Sequence, residues 1–127
     1  MNLPQQAIDL LNKAAISILD EPTKFDMRMW AQEDEKSPCG TTACIAGHIL
    51  SQAKQLSSLK ELYRFDVEDK AMEAMGMEMG AESTRLFFRS SWPADFFHAH
   101  IYAETPEDRA DIAFWRIQHF IATDGAE

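Results

Sequence analysis

The sequence is poor in what would mark it for several common roles. It has 2 cysteines in 127 residues, too few for a disulfide-stapled scaffold; in a reducing compartment they are expected as thiols. No run approaches the ~20 apolar residues of a membrane span. The N-terminus, Met1-Asn2-Leu3-Pro4-Gln5, lacks the basic-then-apolar pattern of a secretory signal, so a cytoplasmic location is expected. Basic residues are scarce and scattered. Residues 1–64 carry 7 Lys/Arg against 8 Asp/Glu, and residues 65–127 carry 5 against 13, for a net charge of −9. Phosphate backbones are bound by clustered Lys and Arg, so direct nucleic-acid binding is disfavoured. Nothing alternates long enough to build a sheet.

What remains is helical punctuation. Pro4 opens a first helix to about Leu19, with Ile8, Leu11, Ala15, Ile18 and Leu19 at three- and four-residue spacing. Phe25, Met27 and Met29 alternate, which suggests one short extended segment near 25–29. A second helix is expected from Thr41 or Thr42 to about Leu56, capped by one of the threonines, with Trp30 packed over its small residues Ala43, Ala46 and Gly47. Asp66–Asp69 opens a third, which Gly76 stops. Short helices follow over 82–88 and around Phe96–Ile101, separated by Ser90-Ser91-Trp92-Pro93. Thr105-Pro106-Glu107-Asp108 gives the last helix a cap, a first-turn proline and acids at its positive end. The reading is an all-α single domain, 1–127, of five or six helices. On the last helix Ala110, Ala113, Phe114, Ile117, Phe120 and Ile121 form the main apolar face. Ile112, Trp115 and His119 form a second stripe, expected to be buried within the chain or, less favoured, against a second copy.

The segment Cys39-Gly40-Thr41-Thr42-Ala43-Cys44-Ile45-Ala46-Gly47-His48 is the least ordinary. A helix start there would offer free N–H groups to an anion and lower the pKa of a neighbouring thiol. The plainer reading is a capping threonine and cysteines packed as small hydrophobes. Cys39, Cys44 and His48 are the candidate zinc ligands, with His98 and His100 in reserve, but the set lacks a Cys-x-x-Cys pair. A cysteine hydrolase would need His98, His100 or His119 beside Cys39. Met72, Met75 and Met79 are read as core filling rather than an adaptable binding stripe.

The run Phe25-Asp26-Met27-Arg28-Met29-Trp30 followed by Cys39-Gly40-Thr41-Thr42-Ala43-Cys44-Ile45-Ala46-Gly47, then Leu86, Phe87, Trp92, Pro93 and Thr105-Pro106-Glu107, resembles a family of uncharacterised bacterial and phage proteins. The likeness is close over 25–48 and loose to 121. It implies no activity. An aromatic often stands in that family where His48 stands here, which weakens His48 as an obligatory ligand.

The expected function is a non-enzymatic binding module that meets an anionic ligand or a protein partner through Trp30, Cys39, Gly40, Thr41, Thr42 and Trp92, without a cofactor, as a monomer or homodimer. The alternatives are a small thiol- or zinc-dependent enzyme centred on Cys39 and Cys44, and an acidic inhibitor of a nucleic-acid-binding protein.

Overall fold

The computed structural model describes residues 3–25, 27, 32–33, 41–42, 44–53, 64–78, 80 and 85–127. Within these the protein is all-α. Helix α1 spans Gln5–Asp20, α2 Ile45–Gln52, α3 Arg64–Ala74, α4 Ala94–Tyr102 and α5 Pro106–Ala122. A helical turn covers 85–87, and 3-10 turns lie at Pro22–Lys24 and Arg89–Ser91. Among the described residues no helix is long and apolar enough to cross a membrane.

Helix α1 is the hub. Its buried face is Ala7, Leu11, Ala14, Ala15 and Ile18, with Leu19 left exposed. Three alanines on that face let neighbouring backbones come close. Helix α1 packs most extensively on α5 and also on α2; α3 lies on α2, and α4 on α5. The chain ends meet where the Leu3 N–H donates to Asp124 Oδ1 at 2.7 Å. Asn12 and Gln118 are hydrogen-bonded at 3.0 Å farther along, so α1 and α5 run antiparallel.

Helix ends follow local chemistry. Thr105 Oγ1 accepts from the Asp108 N–H at 3.1 Å, with Pro106 in the first turn, as the sequence predicts. Helix α3 stops at Gly76, whose φ of +73° is open to glycine at little cost; the Met77 N–H then closes back on the Met72 carbonyl at 2.9 Å. Gln6 Nε2 donates to the Ala74 carbonyl at 2.9 Å, which fastens this end to α1.

The second helix differs from expectation. Thr41–Thr42 are a strand, β2, paired antiparallel with β1, Gln32–Glu33, in the register Gln32 to Thr42 and Glu33 to Thr41. Neither threonine caps a helix. Their branched Cβ atoms suit extended backbone, and the chain turns into α2 only after Cys44, which takes the N-cap position with no side-chain cap hydrogen bond. Of the extended segment expected near 25–29, Phe25 is extended, at φ −103° and ψ 124°, while Asp26, Arg28 and Met29 lie outside the described residues. Helix α2 ends at Gln52 rather than Leu56.

The stripe on α5 also needs correction. The buried residues of α5 are Ala110, Ala113, Arg116, Ile117 and Phe120. Ile112 packs partly against the core, and His119 lies on Phe96 with ring centroids 5.4 Å apart. Trp115 is 57% exposed. Helices α1 and α4 do not cover α5 on that side, so the chain itself does not bury the Trp115 ring. Arg116, one residue on, takes the interior place.

Candidate anion-binding pocket

The most chemically distinctive cavity lies where α4 turns into α5. It has a volume of ≈ 210 Å³ and is lined by Phe25, Met27, Arg89, His100, Ile101, Ala103 and Arg109. Each group has a local reason to be there. Trp92 is buried and donates its indole N–H to the Leu86 carbonyl at 2.9 Å, which holds the 3-10 turn bearing Arg89. Pro93 then starts α4, which carries His100 and Ile101 in its last turn. Ala103 leaves the helix in an extended conformation. Arg109, just inside α5, reaches back so that Nη1 donates to the Ala103 carbonyl at 3.2 Å. Phe25 arrives from the turn after α1.

His100 is the hinge of the cluster. Its ring is 3% exposed. Trp92 meets it edge-on at 5.3 Å and 84°, and Phe25 does so at 6.2 Å and 88°. Its Nδ1 lies 3.4 Å from Arg89 Nη1. A guanidinium only donates, so in this contact Nδ1 is the accepting atom. Phe25 also touches His48 at 6.1 Å, which links the start of α2 to the pocket floor.

Among the described residues neither Arg89 nor Arg109 has a carboxylate within salt-bridge distance. The chain has 21 Asp/Glu. In this region, however, Asp95, Glu104, Glu107, Asp108 and Asp111 are exposed, while Arg85, Arg89 and Arg109 are half-buried and Arg116 is buried. The acids face water and the arginines face inward. Arg116 is the extreme case: it is 0% exposed, its Nη2 donates to the Arg85 carbonyl at 2.8 Å, and its guanidinium carbon lies 5.8 Å from the ring centre of Phe96 and 6.0 Å from that of Phe120. Its Nε and Nη1 have no hydrogen-bond partner. Burial pulls its pKa down to about 10, against the opposing pull of Glu127, so it stays charged at neutral pH.

The residues singled out by the sequence fall in several places. Trp30, Cys39 and Gly40 lie outside the described residues. Thr41 and Thr42 sit on β2. Trp92 is not a surface aromatic: it supports the pocket from within, because its N–H is used by the backbone and its ring packs on His100. Cys44 is buried, and burial pushes its thiol up from 9.0 to about 11; the Gly47 and Ala46 N–H groups pull it down less than burial raises it, and the Glu68 charge adds to the rise. A protonated, enclosed thiol is a poor nucleophile. His48 is buried near it. Among the described residues no group of three or more His, Cys, Asp or Glu converges to hold a metal.

Sequence reasoning missed Arg89 and Arg109. One signal was present: all four basic residues after residue 84 are arginine and none is lysine, which suits partly buried cations that hydrogen-bond to carbonyls or anions. In comparisons with family models, curated proteins and solved structures, nothing matched this chain.

Proposed function

We propose that the protein is a non-enzymatic binding module for a small organic anion, held in the pocket between Arg89 and Arg109. The observation that carries this reading is that Arg89 and Arg109 face one cavity with no carboxylate within salt-bridge distance among the described residues, in a chain of net charge −9. An acidic protein has ample carboxylates to neutralise two arginines, so arginines that face a cavity with no carboxylate partner among the described residues keep their remaining N–H groups for a ligand. Phe25, Met27 and Ile101 supply an apolar wall, so the fitting ligand joins a carboxylate or phosphate to a small apolar body. This moves the anion site from the expected 39–42 segment to the α4–α5 turn. The Cys44 thiol, protonated at neutral pH, speaks against the thiol-enzyme alternative at that residue.

Thermal denaturation with inorganic phosphate, succinate and benzoate tests the reading. At ligand about 100-fold above Kd, stabilisation is about 2.7 kcal/mol, which raises Tm by several degrees. Arg109→Gln and Arg89→Gln should each abolish the shift while retaining the helical circular dichroism. No shift with any of the three anions, or one unchanged in both variants, would refute it.

A further inference from the structure

A second surface, remote in character from the pocket, lies on the open side of the α1–α5 seam. Asn12 and Gln118 mark the seam by their 3.0 Å hydrogen bond. Ile16 and Leu19 lie on the same face of α1 as Asn12, about 6 and 10 Å farther along. Trp115 and Asp111 lie on the same face of α5 as Gln118, about 4.5 and 10 Å from it in the same direction, because the helices are antiparallel. Ile16 is 55% exposed, Leu19 38% and Trp115 57%. Ile16 and Trp115 therefore come to about one level on the two neighbouring helices, with Leu19 a turn beyond. Trp115 is braced edge-on by Phe114, with centroids 5.2 Å apart and planes at 87°. A braced, exposed tryptophan loses little freedom on contact, which is the profile of an interface anchor. On the α2 side of Ile16 a groove of ≈ 330 Å³ opens, lined by Lys13, Ile16, Ser17, Asp20, Glu21 and Gln52.

The charge around the patch selects the occupant. Asp111 and Asp108 continue the Trp115 stripe one and two turns away, and Asp20 continues the Ile16 stripe; all three are exposed, and against them stands the exposed Lys13 beside Ile16. We infer that this seam docks an amphipathic helix of another protein, with apolar residues on one face and Lys or Arg flanking them. The helix lies across the exposed faces of α1 and α5, sets its apolar face on Trp115 and Ile16, and places its cations against Asp20, Asp108 and Asp111. A second copy is the poorer fit, because a two-fold contact through this patch would bring the same carboxylates together in two chains of net charge −9.

Titration calorimetry with a synthetic leucine–lysine amphipathic helix, and with its leucine–glutamate counterpart, tests the proposal. The lysine peptide should bind and the glutamate peptide should not. Trp115→Ala and Ile16→Ser, both at exposed positions, should each weaken binding about tenfold or more. The double variant Asp108→Asn, Asp111→Asn should weaken it less and flatten its dependence on salt. Absence of binding, or binding indifferent to both Trp115→Ala and Ile16→Ser, would overturn the proposal, the latter by showing bare charge adhesion. So would a dimer of the protein alone in sedimentation that Trp115→Ala returns to monomer, since the patch would then belong to a second copy.

Discussion

Arg116 donates to the carbonyl of Arg85 at 2.8 Å from a position that solvent does not reach, with aromatic faces of Phe96 and Phe120 beside it. The guanidinium thus ties α5 to the turn at 85–87 while leaving Nε and Nη1 unsatisfied. A cation buried without a carboxylate is costly, and an apolar side chain of similar volume avoids that cost. Arg116→Met should therefore change stability by no more than about 1 kcal/mol, because the gain in desolvation offsets the carbonyl left without its donor. Arg116→Ala empties the site and should cost about 3 kcal/mol. Urea denaturation of the two variants checks this; equal losses would mean that the charge itself holds the fold.

Cys44 sets an alkaline limit. Its folded pKa of about 11 lies above the unfolded value of 9.0. Below pH 9 both states hold the proton and stability is unaffected. Between pH 9 and 11 the unfolded chain loses the proton first, so stability falls as pH rises, by up to about 3 kcal/mol for this group. Cys44→Ala should flatten that decline in denaturation curves taken from pH 8 to 11. At pH 8 the native protein should also react slowly with iodoacetamide at Cys44, as mapped by peptide mass spectrometry, and at the free-thiol rate once unfolded.

Gly76 tests the contact between α3 and α1. Its φ of +73° strains any side chain, and a Cβ there would stand 2.9 Å from the Gln6 Cδ. Gly76→Ala should cost about 1–2 kcal/mol. Gln6→Ala, added to it, should recover the steric part and leave the backbone part of about 1 kcal/mol. A double-mutant cycle with no coupling would place the whole effect in the backbone.

Trp92 connects core to pocket. Trp92→Phe keeps the ring against His100 but removes the donor to the Leu86 carbonyl, which should cost about 1–2 kcal/mol. Because that bond holds the turn carrying Arg89, the variant should also bind anions more weakly than wild type at a temperature where both are folded. Unchanged anion affinity, read by calorimetry, would show that the turn is set by other contacts.

Much of the helical framework was legible in sequence order because helix ends are local. Thr105-Pro106-Glu107 and Gly76 act through hydrogen bonds and dihedral angles a few residues apart, so their spacing suffices. Thr41–Thr42 was misread because the same residue type serves a cap or a strand, and the partner strand that decides between them lies at Gln32–Glu33. The candidate site was less legible. Net charge summed over the C-terminal half argues against anions, yet Arg89 and Arg109 converge only when α4 and α5 pack and the acids between them turn outward. The fate of Trp115 and Arg116 was likewise tertiary. Both sit on an apolar-rich helix, and which of two neighbours enters the core depends on where Phe96 and the Arg85 carbonyl come to rest. Sequence by itself determined where the helices α3 and α5 start or stop, through short-range bonding; packing decided which charges are paired and which faces stay open, because those depend on residues brought together from distant parts of the chain.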